Sequence, residues 1–230
     1  MQGAELYDDP EFLAGYQELR RAKLGLNDEL EIPALAALLP AASGLRVLDL
    51  GCGEGGLARR LADDGASDVL AVDASASMLA NAVRHPRVRY LRADLACLDL
   101  QEEFDLVVSS LALHYVADFD GLVARIARRL TPGGSFVFSV EHPVITAPHS
   151  AGGFDSYADE GPRQRTWFAT DVLKHHRTIA TILTTLRRHG FSLTAVAEPQ
   201  PTPAQARQYP HLAIHRDRPP LLLVAAEARR

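Results

Sequence analysis

Lysine is almost missing from this chain of 230 residues: only Lys23 and Lys174 occur, so arginine carries the positive charge. Neither lysine follows a tyrosine at the Tyr-x-x-x-Lys spacing that many nicotinamide-dependent oxidoreductases use. Cysteine is equally scarce. Cys52 and Cys97 are too few for a disulfide framework and lack metal-ligand spacing, which fits a reducing compartment. No apolar run approaches the roughly 20 residues of a membrane-spanning helix. Residues 1–10 hold three acids and no basic segment, so no signal peptide is expected and the chain is read as cytoplasmic. A basic excess is absent too. The net charge is −5, and Arg59-Arg60, Arg128-Arg129 and Arg187-Arg188 each fall late in an expected helix, where cations suit the dipole. Nucleic acid therefore has no electrostatic footprint here. Hydrolase signatures are missing as well: there is no Gly-x-Ser-x-Gly elbow. His211 and His215 are four apart, but Leu212 stands where a zinc protease has its glutamate, so no metal is expected.

What is present is ordinary globular material, 47% hydrophobic and 23% charged, enough for one domain. Apolar spacing predicts a helix over 10–24 and a second over about 31–39, capped near Asn27 or Asp28 and stopped by Pro40. From Leu45 strands and helices alternate. Strands are expected at 45–50, 68–73, 87–91, 104–109, 135–140, 191–197 and 221–225. Helices are expected at 55–64, 76–84, 122–130 and 175–189, with a sharp turn over Thr131–Gly134. That rhythm implies an α/β, doubly wound, seven-stranded sheet. The last strand is reached without an evident crossover helix, so it is read as antiparallel. Residues 142–170 break the rhythm and read as irregular, and 198–210, with four prolines, read as loop. One domain results, with an N-terminal helical cap (1–40), a core (45–141), an insertion or lid (142–175) and a C-terminal half of the sheet (176–230).

The chemistry concentrates at Val47-Leu48-Asp49-Leu50-Gly51-Cys52-Gly53-Glu54-Gly55-Gly56, a buried strand running into four glycines in six positions and then a helix start. Glycine allows positive φ and close approach of a ligand, and the helix N-terminus favours an anionic group. Gly51, Gly53 and Gly56 satisfy the dinucleotide pattern G-x-G-x-x-G, with Asp73 placed as its acid. What distinguishes this site is Asp49 inside the first strand, joined by Asp73 and Asp94 at the ends of the next two, the edge where open α/β sheets bind ligands.

That array resembles the class I S-adenosylmethionine-dependent methyltransferases, of the small-molecule, methyltransferase type 11-like kind. The motifs that carry the resemblance are Val47–Gly55, Ala71-Val72-Asp73-Ala74-Ser75, Ala93-Asp94-Leu95, Phe104–Ser110 and Leu130-Thr131-Pro132-Gly133-Gly134, in family order across about 45–141. The resemblance implies a Rossmann-like fold, mostly parallel with an antiparallel last strand and an N-terminal helical extension. It also implies S-adenosylmethionine as cofactor and S-adenosylhomocysteine as product. Gly51, Cys52 and Gly53 would lie against its methionine part, with Asp49 near the amino group. Asp73 would take the ribose hydroxyls, Ala74 and Met78 would flank the adenine, and Asp94 with Leu95 would receive its amino group. Ser109 would border the sulfonium.

No Asn-Pro-Pro-Tyr sequence follows the fourth strand, against nucleobase and amide substrates. The acceptor is expected to be a small molecule, methylated on O, N or C, with the enzyme a monomer or homodimer. His114 and His142 are the candidate bases because they follow strands four and five. Tyr16, Tyr115, Trp167 and His175 are the candidate acceptor contacts, and Tyr157 and Phe168 candidate lid aromatics. The competing readings are an NAD(P)-dependent oxidoreductase and a non-catalytic cofactor-binding protein.

Overall fold

The computed structural model describes residues 3–22, 26–147, 149–150, 153–154, 156–167 and 170–229. It begins with α1 (Gly3–Asp8), which the sequence pattern does not announce, followed by the expected helix as α2 (Pro10–Ala22). The break falls at Asp9, whose Oδ1 accepts the Phe12 N–H at 2.8 Å ahead of a proline at the first helical position. Leu24 lies outside the described residues. A π-helical turn (Asn27–Glu31) then runs directly into α3 (Ile32–Leu38).

The core alternates as its sequence pattern requires: β1 (Arg46–Leu50), α4 (Gly56–Asp63), β2 (Asp68–Asp73), α5 (Ala76–Ala80), β3 (Val88–Arg92), β4 (Phe104–Ser110), a 3₁₀ turn (Leu113–Tyr115), α6 (Phe119–Arg129) and β5 (Leu130–Glu141). The expected turn over Thr131–Gly134 is looped out of β5, since the pairing jumps from Phe104↔Leu130 to Leu106↔Ser135. α5 is much shorter than the 76–84 expected. After β5 come α7 (Pro143–Thr146), the short hairpin β6 (His149–Ser150) and β7 (Gly153–Phe154), and a second hairpin of β8 (Gly161–Trp167) and β9 (Thr170–His176). The chain ends with α8 (Ile179–Arg188), β10 (Phe191–Ala197), α9 (Pro203–Gln208), a 3₁₀ turn (Pro210–Arg216) and β11 (Leu221–Ala228).

Three expectations are corrected here. The insertion is not irregular: β8 and β9 pair antiparallel from Gly161↔His176 to Trp167↔Thr170, and His175 belongs to this hairpin rather than to a helix. α8 starts only at Ile179, where the Thr178 side chain caps the Thr181 N–H. The proline-rich stretch is not all loop either. Pro203 takes the first helical position, where its missing N–H is harmless, and Thr202 and Gln205 close a capping box.

The seven-stranded sheet has the order β10-β11-β5-β4-β1-β2-β3. β1, β2, β3, β4 and β5 run parallel, and β11 pairs antiparallel with both β5 and β10, as expected of the last strand. Strands of such a sheet are buried on both faces, hence their nearly continuous apolar runs. Leu48 and Leu50 join one core with Phe104, Phe136, Phe138 and α6, α8 residues, whereas Val47, Leu106 and Val108 join the other beneath α3 and α4. The N-terminal helices and the β8–β9 hairpin share a small third cluster, Leu6, Phe12 and Val172.

Candidate functional site

The glycine turn is fastened to the neighbouring strand: the Gly51 and Cys52 N–H groups both donate to the Val72 carbonyl, at 2.8 and 3.0 Å. Gly51 has φ 74°, and a Cβ there would come within 2.2 Å of the Ala112 Cβ, so no side chain fits. The Gly53 N–H donates to Asp73 Oδ2 at 2.8 Å and the Ser75 N–H to Oδ1 at 2.9 Å. Asp73 therefore stands at the end of β2 with both oxygens oriented and lone pairs to spare. Burial raises its pKa even against these backbone donors.

Asp49 lies deeper. It is 1% exposed, its Oδ2 has no partner, and burial together with the nearby Asp73 charge pushes its pKa up to about 7. It faces the same cleft as Asp73, a cavity of about 1510 Å³ above the carboxyl ends of the parallel strands. Gly51, Cys52, Gly53, Ala74, Met78, Asp94 and Leu95 line that cleft as well. Asp94 is exposed and its Oδ1 accepts the Ala96 N–H at 2.8 Å. The Cys52 thiol is half-buried and pushed up by desolvation, which leaves it an inert wall atom.

Sequence reasoning missed Glu31. It sits in the π-helical turn, fully buried, and its Oε1 accepts from the Ser110 and Ser139 hydroxyls at 2.9 and 2.6 Å. Ser139 Oγ in turn accepts the Leu111 N–H at 3.0 Å. Leu111 is the one non-glycine residue with positive φ (53°) among the described residues, and it lies on the cleft wall. Glu31 thus pins a strained backbone at the end of β4, while its Oε2 is buried without a partner. The available signal was an acid amid Leu30, Ile32 and Leu35, on a helix otherwise apolar toward the sheet.

Beyond β4 the cleft widens into a chamber of aromatic rings. Tyr7 meets Phe12, Tyr16 and Tyr115 edge-on at centroid distances of 5.4, 5.2 and 6.4 Å, and Trp167 meets Phe12 and Tyr16 at 5.4 and 6.1 Å. Burial raises the Tyr7, Tyr16 and Tyr115 phenols. His114, His175, Glu141 and Lys174 also line this end. The structure brings together Tyr16, Tyr115, Trp167, His175 and His114 as the sequence reading grouped them, with Tyr7 and Lys174 added.

Two expected site residues stand apart. Ser109 is fully buried in the sheet, its hydroxyl donating to the Leu50 carbonyl at 2.7 Å, and the cleft wall there is Ser110, Leu111 and Ala112. His142 is turned away: its Nδ1 accepts the Val144 N–H at 3.1 Å, so its Nε2 carries the proton and donates to Glu198 at 2.6 Å. Both nitrogens are used, and the imidazole caps α7 rather than facing the cleft. Tyr157 serves the start of α8, its hydroxyl accepting the Ile179 N–H at 2.9 Å. Phe168 lies outside the described residues. No metal-holding cluster of His, Cys, Asp or Glu occurs among the described residues.

Residues 47–134 match a family model described as a methyltransferase domain. A solved S-adenosylmethionine dependent methyltransferase from Mesorhizobium loti is 47% identical, with a TM-score of 0.82 over 88% of this chain and 100% of that one. A putative S-adenosylmethionine dependent methyltransferase from Listeria monocytogenes is 35% identical, with a TM-score of 0.80 over 87% of this chain and 97% of its own. The malonyl-[acyl-carrier protein] O-methyltransferase of Enterobacter lignolyticus is 43% identical over 108 residues, 46% of this chain and 43% of that protein, so this likeness spans less than half of either.

Proposed function

This chain belongs to the S-adenosylmethionine-dependent methyltransferases, and from that membership we propose that it transfers a methyl group by in-line displacement to a small-molecule acceptor. The observation that carries the reading is the pair of buried strand-end carboxylates, Asp49 and Asp73, against the glycine turn. The residues present fit S-adenosylmethionine. The orphaned Asp49 Oδ2 and Glu31 Oε2 suit an ammonium and a sulfonium, which restore the charge compensation these oxygens lack. Asp73 retains acceptor capacity for two vicinal hydroxyls. Met78 and Leu95 offer apolar walls for a base, with Asp94 at their rim. A pyrophosphate has less to recommend it here, because three carboxylates would face its charge.

When bound, S-adenosylmethionine supplies a methyl carbon already activated by its sulfonium. The chain's own residues then have three tasks: to hold the acceptor in line, to exclude water and to stabilise the charges of the ground state. Glu31 acts on the first by fixing Ser110 and Leu111, the wall between the cofactor half of the cleft and the aromatic chamber. The rings of Tyr7, Tyr16, Tyr115 and Trp167 act on the second. Of the two histidines expected as bases, only His114 reaches the chamber.

Isothermal titration tests the reading. S-adenosylhomocysteine should bind in the micromolar range and NAD far more weakly. Asp73→Asn should cost about 2 kcal/mol or more in affinity, the scale of hydrogen bonds to a charged group. NAD binding tighter than S-adenosylhomocysteine overturns it.

A further inference from the structure

The aromatic chamber has a charge pattern of its own. Lys174 is 6% exposed, its ammonium donates to the Glu141 carboxylate, and it lies over the Trp167 and Tyr115 rings at 5.4 and 5.9 Å. Arg165, on the facing strand of the same hairpin, holds its Nη2 against the Ile145 and Ala147 carbonyls, both at 2.9 Å, and lines the chamber too. Two cations thus meet one carboxylate. The cofactor half of the cleft is the reverse, with Glu31, Asp49 and Asp73 on its wall.

Among the described residues, the histidines that line the chamber with Lys174 are weakened as proton acceptors. His142 is outside it with both nitrogens engaged. His114 is buried, and desolvation and the neighbouring Lys174 and Arg177 charges lower it to about 4 despite Glu141, too weak to deprotonate an alcohol or an ammonium. His175 is lowered by burial and by Arg177. Tyr7, Tyr16 and Tyr115 stay phenols, and Glu141 is held ionised by Lys174 and Arg165. The polar groups on the wall are mostly donors. An amine entering as its cation would meet Lys174 and Arg165 against the single carboxylate of Glu141, with a sulfonium beyond. A neutral hydroxyl would find only weakened acceptors, His114 and His175.

We propose that the acceptor is a planar organic acid bound as its carboxylate, seated between the aromatic rings with its charge toward Arg165 and Lys174, and methylated on a carboxylate oxygen. The proposal rests on the methyltransferase reading. In the step, a lone pair of the carboxylate oxygen forms the C–O bond to the methyl carbon as the C–S bond breaks, its electron pair returning to sulfur. The acceptor's negative charge and the sulfonium's positive charge cancel, the products are a neutral ester and a thioether, and no proton moves.

The test begins with titration of the protein by S-adenosylhomocysteine; no binding overturns the methyltransferase reading and this proposal with it. The complex is then titrated with trans-cinnamate, trans-cinnamamide and cinnamylamine. Cinnamate should bind at least tenfold tighter than either of the others. Arg165→Gln should abolish that preference with cofactor affinity unchanged, and Arg165→Lys, which keeps the charge but loses the two-carbonyl grip, should retain it. Equal or tighter binding of the amide or amine, no binding of cinnamate, or a preference that survives Arg165→Gln overturns the proposal. A second measurement follows the methyl group. Protein, methyl-labelled S-adenosylmethionine and the acidic fraction of a bacterial small-molecule extract should give label that mild alkali releases as methanol. Alkali-stable label, or none, overturns it.

Discussion

Asp49 is a carboxyl in the middle of a parallel sheet, and its energetics run opposite to those of most acids. Its pKa is raised from 3.8 to about 7, so the folded chain without ligand prefers it protonated by about 4 kcal/mol more than the unfolded chain does. Between these values the native state binds more protons than the unfolded one, and stability therefore falls as pH rises. The penalty is absent below about pH 4 and complete above about pH 7. Glu31 and Asp73 are shifted in the same direction by burial and add to it. Asp49→Asn should accordingly raise the melting temperature of the ligand-free protein at pH 8 by roughly 2–4 °C for each kcal/mol relieved. At pH 5 the gain should be much smaller, and saturating S-adenosylhomocysteine should narrow the gap at pH 8. A gap that does not change between pH 5 and pH 8 would show that Asp49 is not the strained acid. Glu31→Gln separates recognition from folding. Affinity for S-adenosylmethionine should fall about tenfold or more, while S-adenosylhomocysteine, whose sulfur is uncharged, should bind as before; equal losses for both would mean Glu31 acts only by holding Leu111.

Residues of this kind differ in how far the sequence revealed them. Gly51, Gly53, Asp49 and Asp73 were legible because their geometry is local: a strand, a tight turn and the end of the neighbouring strand. His142 and Ser109 were not, because the order of the chain says which strand end a residue follows but not which way its side chain turns. His142 turns to cap α7, and Ser109 turns into the sheet. Glu31 was hidden because a helix wheel treats one acid on an apolar face as an exception, whereas its partners Ser110 and Ser139 come from strands far along the chain.

At the scale of elements, the core strands and helices declared themselves by apolar period. The β8–β9 hairpin did not. Its strands carry Arg163, Gln164, Arg165, Asp171, Lys174 and His175, polar groups that mask the alternation, because this ribbon packs mainly against α1, α7 and the Leu113–Tyr115 turn. The joint is aromatic: Trp167 meets Phe12 and Tyr16 edge-on, 5.4 and 6.1 Å between centroids. At roughly 0.5–1.5 kcal/mol for each such pair, Trp167→Ala should destabilise the joint by about 1–3 kcal/mol. Limited proteolysis should then cut within α1 or α2 sooner than in the parent, with the sheet core still resistant. Unchanged cleavage times would show that the helices are held elsewhere, for instance by Asp8, whose Oδ1 accepts from the Ser75 hydroxyl and the Ser77 N–H at 2.6 and 2.9 Å.

For the molecule as a whole, two large cores flank one sheet while the N-terminal helices and the hairpin share only a small cluster of their own. Opening of that outer layer should therefore require less free energy than opening of the sheet. Amide exchange is expected to be fastest in α1, α2, β8 and β9, slowest in β1, β4 and β5, and to slow in the first group when S-adenosylhomocysteine binds. Equal protection of both groups without ligand would contradict this two-tier stability.

The position of β11 has a consequence for how the polypeptide is made. Although it follows both of its neighbours in the sequence, it lies inside the sheet, between β5 and β10. A ribosome delivers β1 to β5 first, and those strands can associate as they emerge. β10 then appears with no neighbour to pair with and must wait. Only when residues 221–228 have cleared the exit tunnel can β11 slot in, covering the open side of β5 and capturing β10 in one event. Until then β5 presents a bare strand edge to other chains, so residues 221–228 decide whether the sheet closes on itself or meets a stranger.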